Sequence, residues 1–236
     1  MTDYPVLILA GGLGTRLKGV IGSIPKPMAS IAGKPFLWWL IKSLESASVH
    51  EVFLSVGYQK EIIKEYFGAQ FNNIQLKYIE EADPLGTGGA IIKASSYIDD
   101  EAFLVMNGDT FATCNLDRFV TINKNLAADL GLALYEVDNV SRYGAVMCSP
   151  SDRVIGFLEK GANGPGLINA GTYYINKQVF KNYDLTEKFS FEADFLQKNI
   201  SDLKIYGMNV VQNFIDIGIP EEYERAQYLI PKIAIC

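Results

Sequence analysis

The chain reads as an α/β protein, a single domain built on a doubly wound, mostly parallel mixed sheet. Three observations predict this. Short, uninterrupted apolar runs alternate with amphipathic stretches through the first half, the pattern of buried parallel strands joined by covering helices. A glycine-rich turn follows the first apolar run directly. The length of 236 residues, 49% of them hydrophobic, is enough to bury a full core in one domain.

In order, strands are expected over residues 6–10, 51–56, 74–79 and 103–106, with helices over 36–46, 59–67 and 89–97 between them. The Trp38-Trp39 pair in the first of these helices reads as core packing. Ligands of such sheets sit beyond the carboxyl ends of the strands. The glycine turn after the first strand and Asp109 after Leu104-Val105-Met106 therefore fall in one place. The second half is richer in strand signals, with β-prone stretches over 130–137, 145–148, 155–158 and 172–175 punctuated by Gly, Asn and Pro. These are expected to make an extended, mixed sheet that forms a second lobe. Ser190 is a candidate N-cap ahead of Phe191-Glu192-Ala193-Asp194-Phe195. A last helix is expected over 220–229, with Pro220 in its first turn and Glu221 and Glu222 at its positive end.

Composition removes several function classes. A formal net charge of −6 argues against a nucleic-acid partner and against an anionic membrane. Any phosphate site must then be a local concentration of cations, for which Arg16, Lys26 and Lys160 are the candidates. Cys114, Cys148 and Cys236 are odd in number and widely spaced, which suits reduced thiols in the cytoplasm. His50 is the only histidine, so His/Cys zinc sites and histidine-based triads are excluded. A metal would need oxygen ligands, which points to Mg2+ or Mn2+. No secretory leader is visible, and the most apolar run, residues 36–41, is far too short to span a bilayer.

The richest signal is Leu9-Ala10-Gly11-Gly12-Leu13-Gly14-Thr15-Arg16-Leu17, followed by Pro25-Lys26-Pro27. Glycines let backbone N–H groups crowd an anion, and a guanidinium can bind phosphate oxygens in pairs. A P-loop is excluded, because Val20 and Ile21 follow Gly19 where lysine and a hydroxyl are needed. A dinucleotide fingerprint is excluded by Leu17 in place of its third small residue. An ordinary strand-to-helix turn would account for the glycines alone, but not for the cations at fixed distances after them.

This combination resembles the sugar nucleotidyltransferase family, whose signature runs Gly-Gly-x-Gly-Thr-Arg-Leu and then Pro-Lys-Pro. Further matches follow in register at Pro84-Leu85-Gly86-Thr87-Gly88-Gly89, Asn107-Gly108-Asp109, Tyr143-Gly144-Ala145-Val146, Glu159-Lys160, Asn169-Ala170-Gly171 and Asp216-Ile217-Gly218. The resemblance implies a Rossmann-like nucleotide-diphospho-sugar transferase fold. Residues from about 1 to 125 would form a nucleotide-binding half, and those from about 126 to 236 a sugar-phosphate-binding half. It implies an enzyme that joins a sugar 1-phosphate to a nucleoside triphosphate and releases pyrophosphate.

The same resemblance assigns roles. Arg16 would hold the departing pyrophosphate, and Lys26 would neutralise the reacting phosphates. Leu9, Gly11, Gly12, Gly14, Thr15, Glu81, Gly86, Thr87 and Asn107 would meet the nucleotide. Gly108, Gly144, Glu159, Lys160, Asn169 and Glu192 would meet the sugar phosphate, and Asp109 and Asp216 would hold one divalent ion. Each group also has a plain reading: Lys26 as a loop lysine, Asp109 as a turn residue, Gly144 as a bulge, Glu81 as a solvated charge. A carboxylate at Glu81 suits guanine, whose N1–H and amino group are donors, although acidic residues can accompany other bases.

Many family members carry Pro-Leu-Thr where this chain has Lys18-Gly19-Val20-Ile21-Gly22-Ser23. That variant resembles the branch that transfers guanylyl groups to D-glycero-α-D-manno-heptose 1-phosphate. GTP and that sugar phosphate are the expected substrates, with mannose 1-phosphate guanylyltransfer or hexose or N-acetylmuramate uridylyltransfer as alternatives. A catalytically silent, nucleotide-sugar-binding subunit is the reading from another class. It would be expected to have lost the cations or the aspartates, and they are present. The acidic composition allows a monomer or a homodimer, and a homodimer is the expectation.

Overall fold

The computed structural model describes residues 3–12, 22 and 24–234. β1 (Val6–Leu9) leads through a 3-10 turn at Lys26–Met28 to the small hairpin of β2 (Ser30–Ile31) and β3 (Lys34–Pro35). Then follow α1 (Phe36–Ser43), β4 (Glu51–Val56), α2 (Lys60–Phe67), β5 (Gln70–Phe71), β6 (Ile74–Glu80), α3 (Gly86–Ser95) and β7 (Ala102–Asn107). The second half adds β8 (Thr110–Thr113), α4 (Leu116–Asn125), β9 (Leu130–Val137), β10 (Ala145–Cys148), β11 (Val154–Leu158), β12 (Gly166–Asn176), β13 (Ile205–Asn209), β14 (Asn213–Asp216) and α5 (Pro220–Ile233).

Eight strands form the main sheet in the order β13-β9-β12-β7-β1-β4-β6-β5. β12 runs against both its neighbours and β5 against β6, while the other pairs are parallel. Alternate residues of each strand enter different cores. Val6, Ile8, Val52, Leu54, Leu104 and Met106 face α1, α2, α4 and α5. Leu7, Phe53, Phe103, Val105, Tyr173 and Ile175 face α3 and the segment around Phe191 and Phe195. Each fully buried Leu, Ile or Phe contributes about 1.5–3 kcal/mol by leaving water, so the two faces together fix the strand order. The doubly wound, mostly parallel, single-domain expectation holds.

Two expectations are corrected. The second-half strands do not form one extended sheet: β10–β11 and β8–β14 stand apart as ribbons, while β9, β12 and β13 extend the main sheet. Their inward residues, such as Leu130, Leu132 and Ile175, join the core that also covers β7. Helix α3 begins at Gly86 rather than at residue 89, despite the poor helix propensity of glycine. Tertiary contacts override it. Gly88 N–H donates to the Phe189 carbonyl at 3.0 Å, and Phe189 N–H donates to the Leu85 carbonyl at 3.1 Å. A Cβ on Gly88 would lie 2.1 Å from the Phe189 ring, so only glycine lets that ring in. The tryptophan pair packs as expected, edge to face at 4.9 Å, with Trp39 Nε1–H donating to the Ile31 carbonyl at 2.9 Å. The 110–113 strand, the 116–125 helix and the 205–209 strand had no counterpart in the sequence reading. The helix had a legible start in Asn115, whose side chain accepts from Arg118 N–H at 2.9 Å.

Candidate active site

Beyond the carboxyl ends of β1 and β7 the chain makes a tight backbone approach. Gly108 N–H donates to the Leu9 carbonyl at 3.0 Å, and a Cβ there would sit 2.4 Å from the same oxygen. The Asn107-Gly108-Asp109 turn can therefore close against β1 only with glycine in the middle. β8 then pairs with β14 so that Thr110 faces Asp216, and Ile217 N–H donates to the Asp109 carbonyl at 3.2 Å. This ribbon brings two aspartates from distant sequence to the same place.

Lys26 stands between them. Pro25 and Pro27 are buried and fix the backbone of its 3-10 turn. Its Nζ lies 2.7 Å from Asp109 Oδ2 and 3.9 Å from Asp216 Oδ1, and its side chain is only 13% exposed. The other oxygen, Asp216 Oδ2, accepts from Arg142 Nη2 at 2.7 Å, and Asp216 Oδ1 also accepts from Gly218 N–H at 2.8 Å. Arg142 stacks 4.8 Å over the Tyr143 ring, which meets Phe214 edge to face at 5.4 Å. Sequence reasoning passed over Arg142. Its one signal was adjacency to the Tyr143-Gly144 pair.

The donor set fits a hard divalent ion. Two carboxylates already converge on one cationic centre, and a Cβ on Gly218 would lie 2.8 Å from Asp216 Oδ1 and 3.3 Å from Lys26 Nζ, so that corner must stay bare. Among the described residues no group of three or more His, Cys, Asp and Glu could hold an ion. An ion here would take two protein carboxylates and draw its remaining oxygens from phosphate and water, the habit of magnesium.

The opposite wall has a single carboxylate, Glu192, tied to a neutral amide and a neutral phenol. The register of β12 against β9 shifts between Asn169 and Tyr173, a bulge that turns Asn169 toward the cavity. Gly171 occupies the left-handed region at φ +73°, and a Cβ there would meet Asn107 Nδ2 at 2.6 Å. Asn169 Nδ2 donates to Tyr173 Oη at 2.9 Å and to Glu192 Oε1 at 3.0 Å, and Tyr173 Oη–H donates to Glu192 Oε1 at 2.5 Å. Burial, reinforced by the Glu192 carboxylate, holds the Tyr173 phenol well above its ordinary pKa. The hydroxyl is thus a fixed donor. Ser190 caps the following π-turn at Phe191–Leu196 as expected, its side chain accepting from Ala193 N–H at 3.2 Å.

One cavity of about 470 Å³ joins these groups. Leu9, Gly12, Lys26, Asn107, Gly108, Asp109, Gly144, Glu159, Lys160, Asn169, Glu192 and Asp216 all line it, as Tyr143 and Gln197 do. Gly144 is needed at its position, with φ +78° and a Cβ that would fall 2.4 Å from the Leu158 carbonyl.

Other expected residues stand apart. Gly14, Thr15 and Arg16 lie outside the described residues. Glu81 sits behind Gly11, its Oε1 accepting from Ser55 Oγ at 2.6 Å and its Oε2 from Leu85 N–H at 3.2 Å. Gly86 is closed off by the Phe189 carbonyl, 2.5 Å from where its Cβ would be, and Thr87 Oγ1 accepts from Phe191 N–H at 2.9 Å. The glycines of this run make room for the 187–191 segment, where the sequence suggested room for a base.

The nucleotidyl transferase family pattern matches residues 5–232. D-glycero-α-D-manno-heptose 1-phosphate guanylyltransferase of Aneurinibacillus thermoaerophilus is 45% identical over 221 residues, 94% of this chain and 96% of that protein. The protein of the same name from Campylobacter jejuni is 46% identical over 217 residues, 92% and 96% of the two chains. The crystal structure of HddC from Yersinia pseudotuberculosis complexed with GMP-PN superposes with a TM-score of 0.80 at 43% identity, covering 95% of this chain and 98% of that one.

Proposed function

Since the chain belongs to the nucleotidyl transferase family, we propose that it transfers the guanylyl group of GTP to D-glycero-α-D-manno-heptose 1-phosphate, giving GDP-heptose and pyrophosphate. The observation that carries this reading is a cavity lined at one end by Lys26, Asp109 and Asp216, with Arg142 paired to Asp216 behind them, and at the other by Asn169 and Glu192. The identity of 45–46% to two heptose 1-phosphate guanylyltransferases supports the choice of base and sugar.

An oxygen of the sugar phosphate attacks the α-phosphorus, a new O–P bond forms, and the bond to the bridging oxygen breaks as pyrophosphate leaves with that oxygen. The attacking oxygen is already an anion near neutral pH, so no protein base is required. Bringing two polyanions together is the main barrier, and neutralising their charge is the main catalytic task. Lys26 would do this at the reacting phosphates, and Lys160 at the sugar phosphate. The backbones of Gly11, Gly12 and Gly14 would offer N–H donors to the nucleotide, and Arg16 would hold the leaving pyrophosphate. Asp109 and Asp216 would hold a magnesium ion, whose charge offsets that gathering on the phosphates. Glu159, Glu192 and Asn169 would accept and donate hydrogen bonds to the sugar hydroxyls. Glu81, Gly86 and Thr87 would act on the base through the loop they brace.

Pyrophosphate release with magnesium, across four nucleoside triphosphates and a panel of sugar 1-phosphates including manno-heptose, tests the proposal. Release that needs GTP and the heptose phosphate together is the expected result. Release with UTP or with mannose phosphate would keep the chemistry and replace the substrate.

A further inference from the structure

Among the described residues, the charges at the ionic end of the cavity are balanced before any substrate arrives. Asp109 and Asp216 contribute two negative charges, and Lys26 and Arg142 contribute two positive ones, each cation within 2.7 Å of a carboxylate oxygen. The two cations are held differently. Lys26 reaches across from its turn on a flexible chain, and its ammonium lies between the carboxylates. The Arg142 guanidinium is pinned, stacked over Tyr143 and bonded to Asp216 Oδ2 and, at 3.4 Å, to the Asp216 carbonyl.

We propose that Arg142 is the resident counter-charge of the carboxylate pair, and that with Lys26 it makes tight binding of a divalent cation wait for the nucleotide. This rests on reading Asp109 and Asp216 as the cation-holding residues. A divalent ion entering the free protein must displace the Lys26 ammonium and would leave two positive charges uncompensated in a partly shielded site. Side-chain exposures of 13% for Lys26, 21% for Asp216, 30% for Arg142 and 43% for Asp109 mean that water screens this excess in part but not fully. A triphosphate reverses the balance. It brings its own negative charge, to which Lys26 can swing, while Arg142 stays on Asp216 Oδ2 and keeps Oδ1 turned inward. Arg142 is thus a positioning residue that acts through Asp216 and touches neither phosphate nor sugar. An ion admitted only with its nucleotide cannot be trapped in an unproductive complex with the empty protein.

The test is manganese binding to the free protein, followed by the electron paramagnetic resonance signal of unbound Mn2+. Arg142→Gln keeps an amide donor for Asp216 and removes the charge. It is expected to bind Mn2+ at least about tenfold more tightly than wild type without nucleotide. Arg142→Lys, which keeps the charge, should behave as wild type, and a non-hydrolysable GTP analogue should narrow the gap between Arg142→Gln and wild type. The double variant Arg142→Gln with Asp216→Asn should lose the gain. Mn2+ binding by Arg142→Gln that is equal to or weaker than wild type overturns the proposal. Should that variant fail to fold, Lys26→Met poses the same question, and tighter Mn2+ binding is again the expected answer. The underlying reading fails separately, and takes the proposal with it, if Asp109→Asn and Asp216→Asn both leave nucleotide-dependent Mn2+ affinity unchanged.

Discussion

The two ends of the cavity solve the problem of buried polarity in opposite ways. At the end formed by β7, β8 and β14, full charges meet in ion pairs, with Lys26 set between Asp109 and Asp216 and with Arg142 on Asp216. At the end formed by β12 and the π-turn, a phenol and an amide share one carboxylate oxygen, and the buried member of the set, Tyr173, is neutral. The difference teaches where adaptability lies. Ion pairs can exchange partners when a polyanion or a metal enters, because each charge is indifferent to which opposite charge it meets. The buried Tyr173 hydroxyl cannot leave Glu192 without becoming an unmatched donor, which costs about 1–3 kcal/mol. The ionic end suits chemistry that moves charge, and the neutral end suits recognition of a fixed pattern of hydroxyls.

The comparison breaks most severely at the ionic end. Lys26→Ala and Asp109→Ala should each lower kcat by about 10²–10³-fold or more, the scale for losing a group that meets developing charge. Circular dichroism should show the fold retained. Near-normal turnover in both would remove the catalytic assignment of this end. At the neutral end, Tyr173→Phe deletes the hydroxyl and keeps the ring. It should raise KM for the sugar phosphate about five- to thirtyfold, from the roughly 1–2 kcal/mol of a lost hydrogen bond to a carboxylate, and leave KM for GTP in place. An equal rise in both constants would mean that the network serves the whole cavity rather than one end.

Gly88→Ala tests whether the neutral end is braced from below. An added methyl would lie 2.1–2.5 Å from Phe189 ring atoms, one residue before the Ser190 cap. Overpacking of this kind costs about 1–3 kcal/mol, read as a lowered urea midpoint. Manganese binding at the ionic end should not change. The smallest effect is expected behind that end, at Cys114, which follows β8. Burial pushes its thiol up to about 12 from the ordinary 9. Iodoacetamide should therefore label Cys114 only slowly in the folded protein at pH 8, because the thiolate is the nucleophile. The sign for stability follows from the raised value. The neutral thiol is favoured in the folded state, so this contribution is complete below pH 9 and is lost as pH rises toward 12.

Much of the ionic end was legible in the sequence because each residue sits in a local signal: Lys26 between prolines, Asp109 after a short apolar strand and glycine, Asp216 before Ile217-Gly218. Arg142 was not, since what gives it meaning is a carboxylate 74 residues away. Tyr173 was hidden differently. A tyrosine inside a β-prone run reads as core, and nothing local says that its hydroxyl meets Glu192, 19 residues on. The Gly86-Thr87-Gly88-Gly89 run was legible as a place without side chains, but not as the place that Phe189 fills.

The sequence by itself determined the alternation of strands and helices, the turns that only glycine permits, and the inventory of charged groups. These follow from periodicity, propensity and backbone sterics, which act over a few residues. Only the tertiary structure decided that β12 enters the main sheet against β7, that β8 pairs with β14, and that one lysine therefore stands between two aspartates while an unforeseen arginine holds one of them. Coulomb interactions and hydrogen bonds depend on distance in space, and that distance is set by which strands become neighbours when two apolar faces are buried at once.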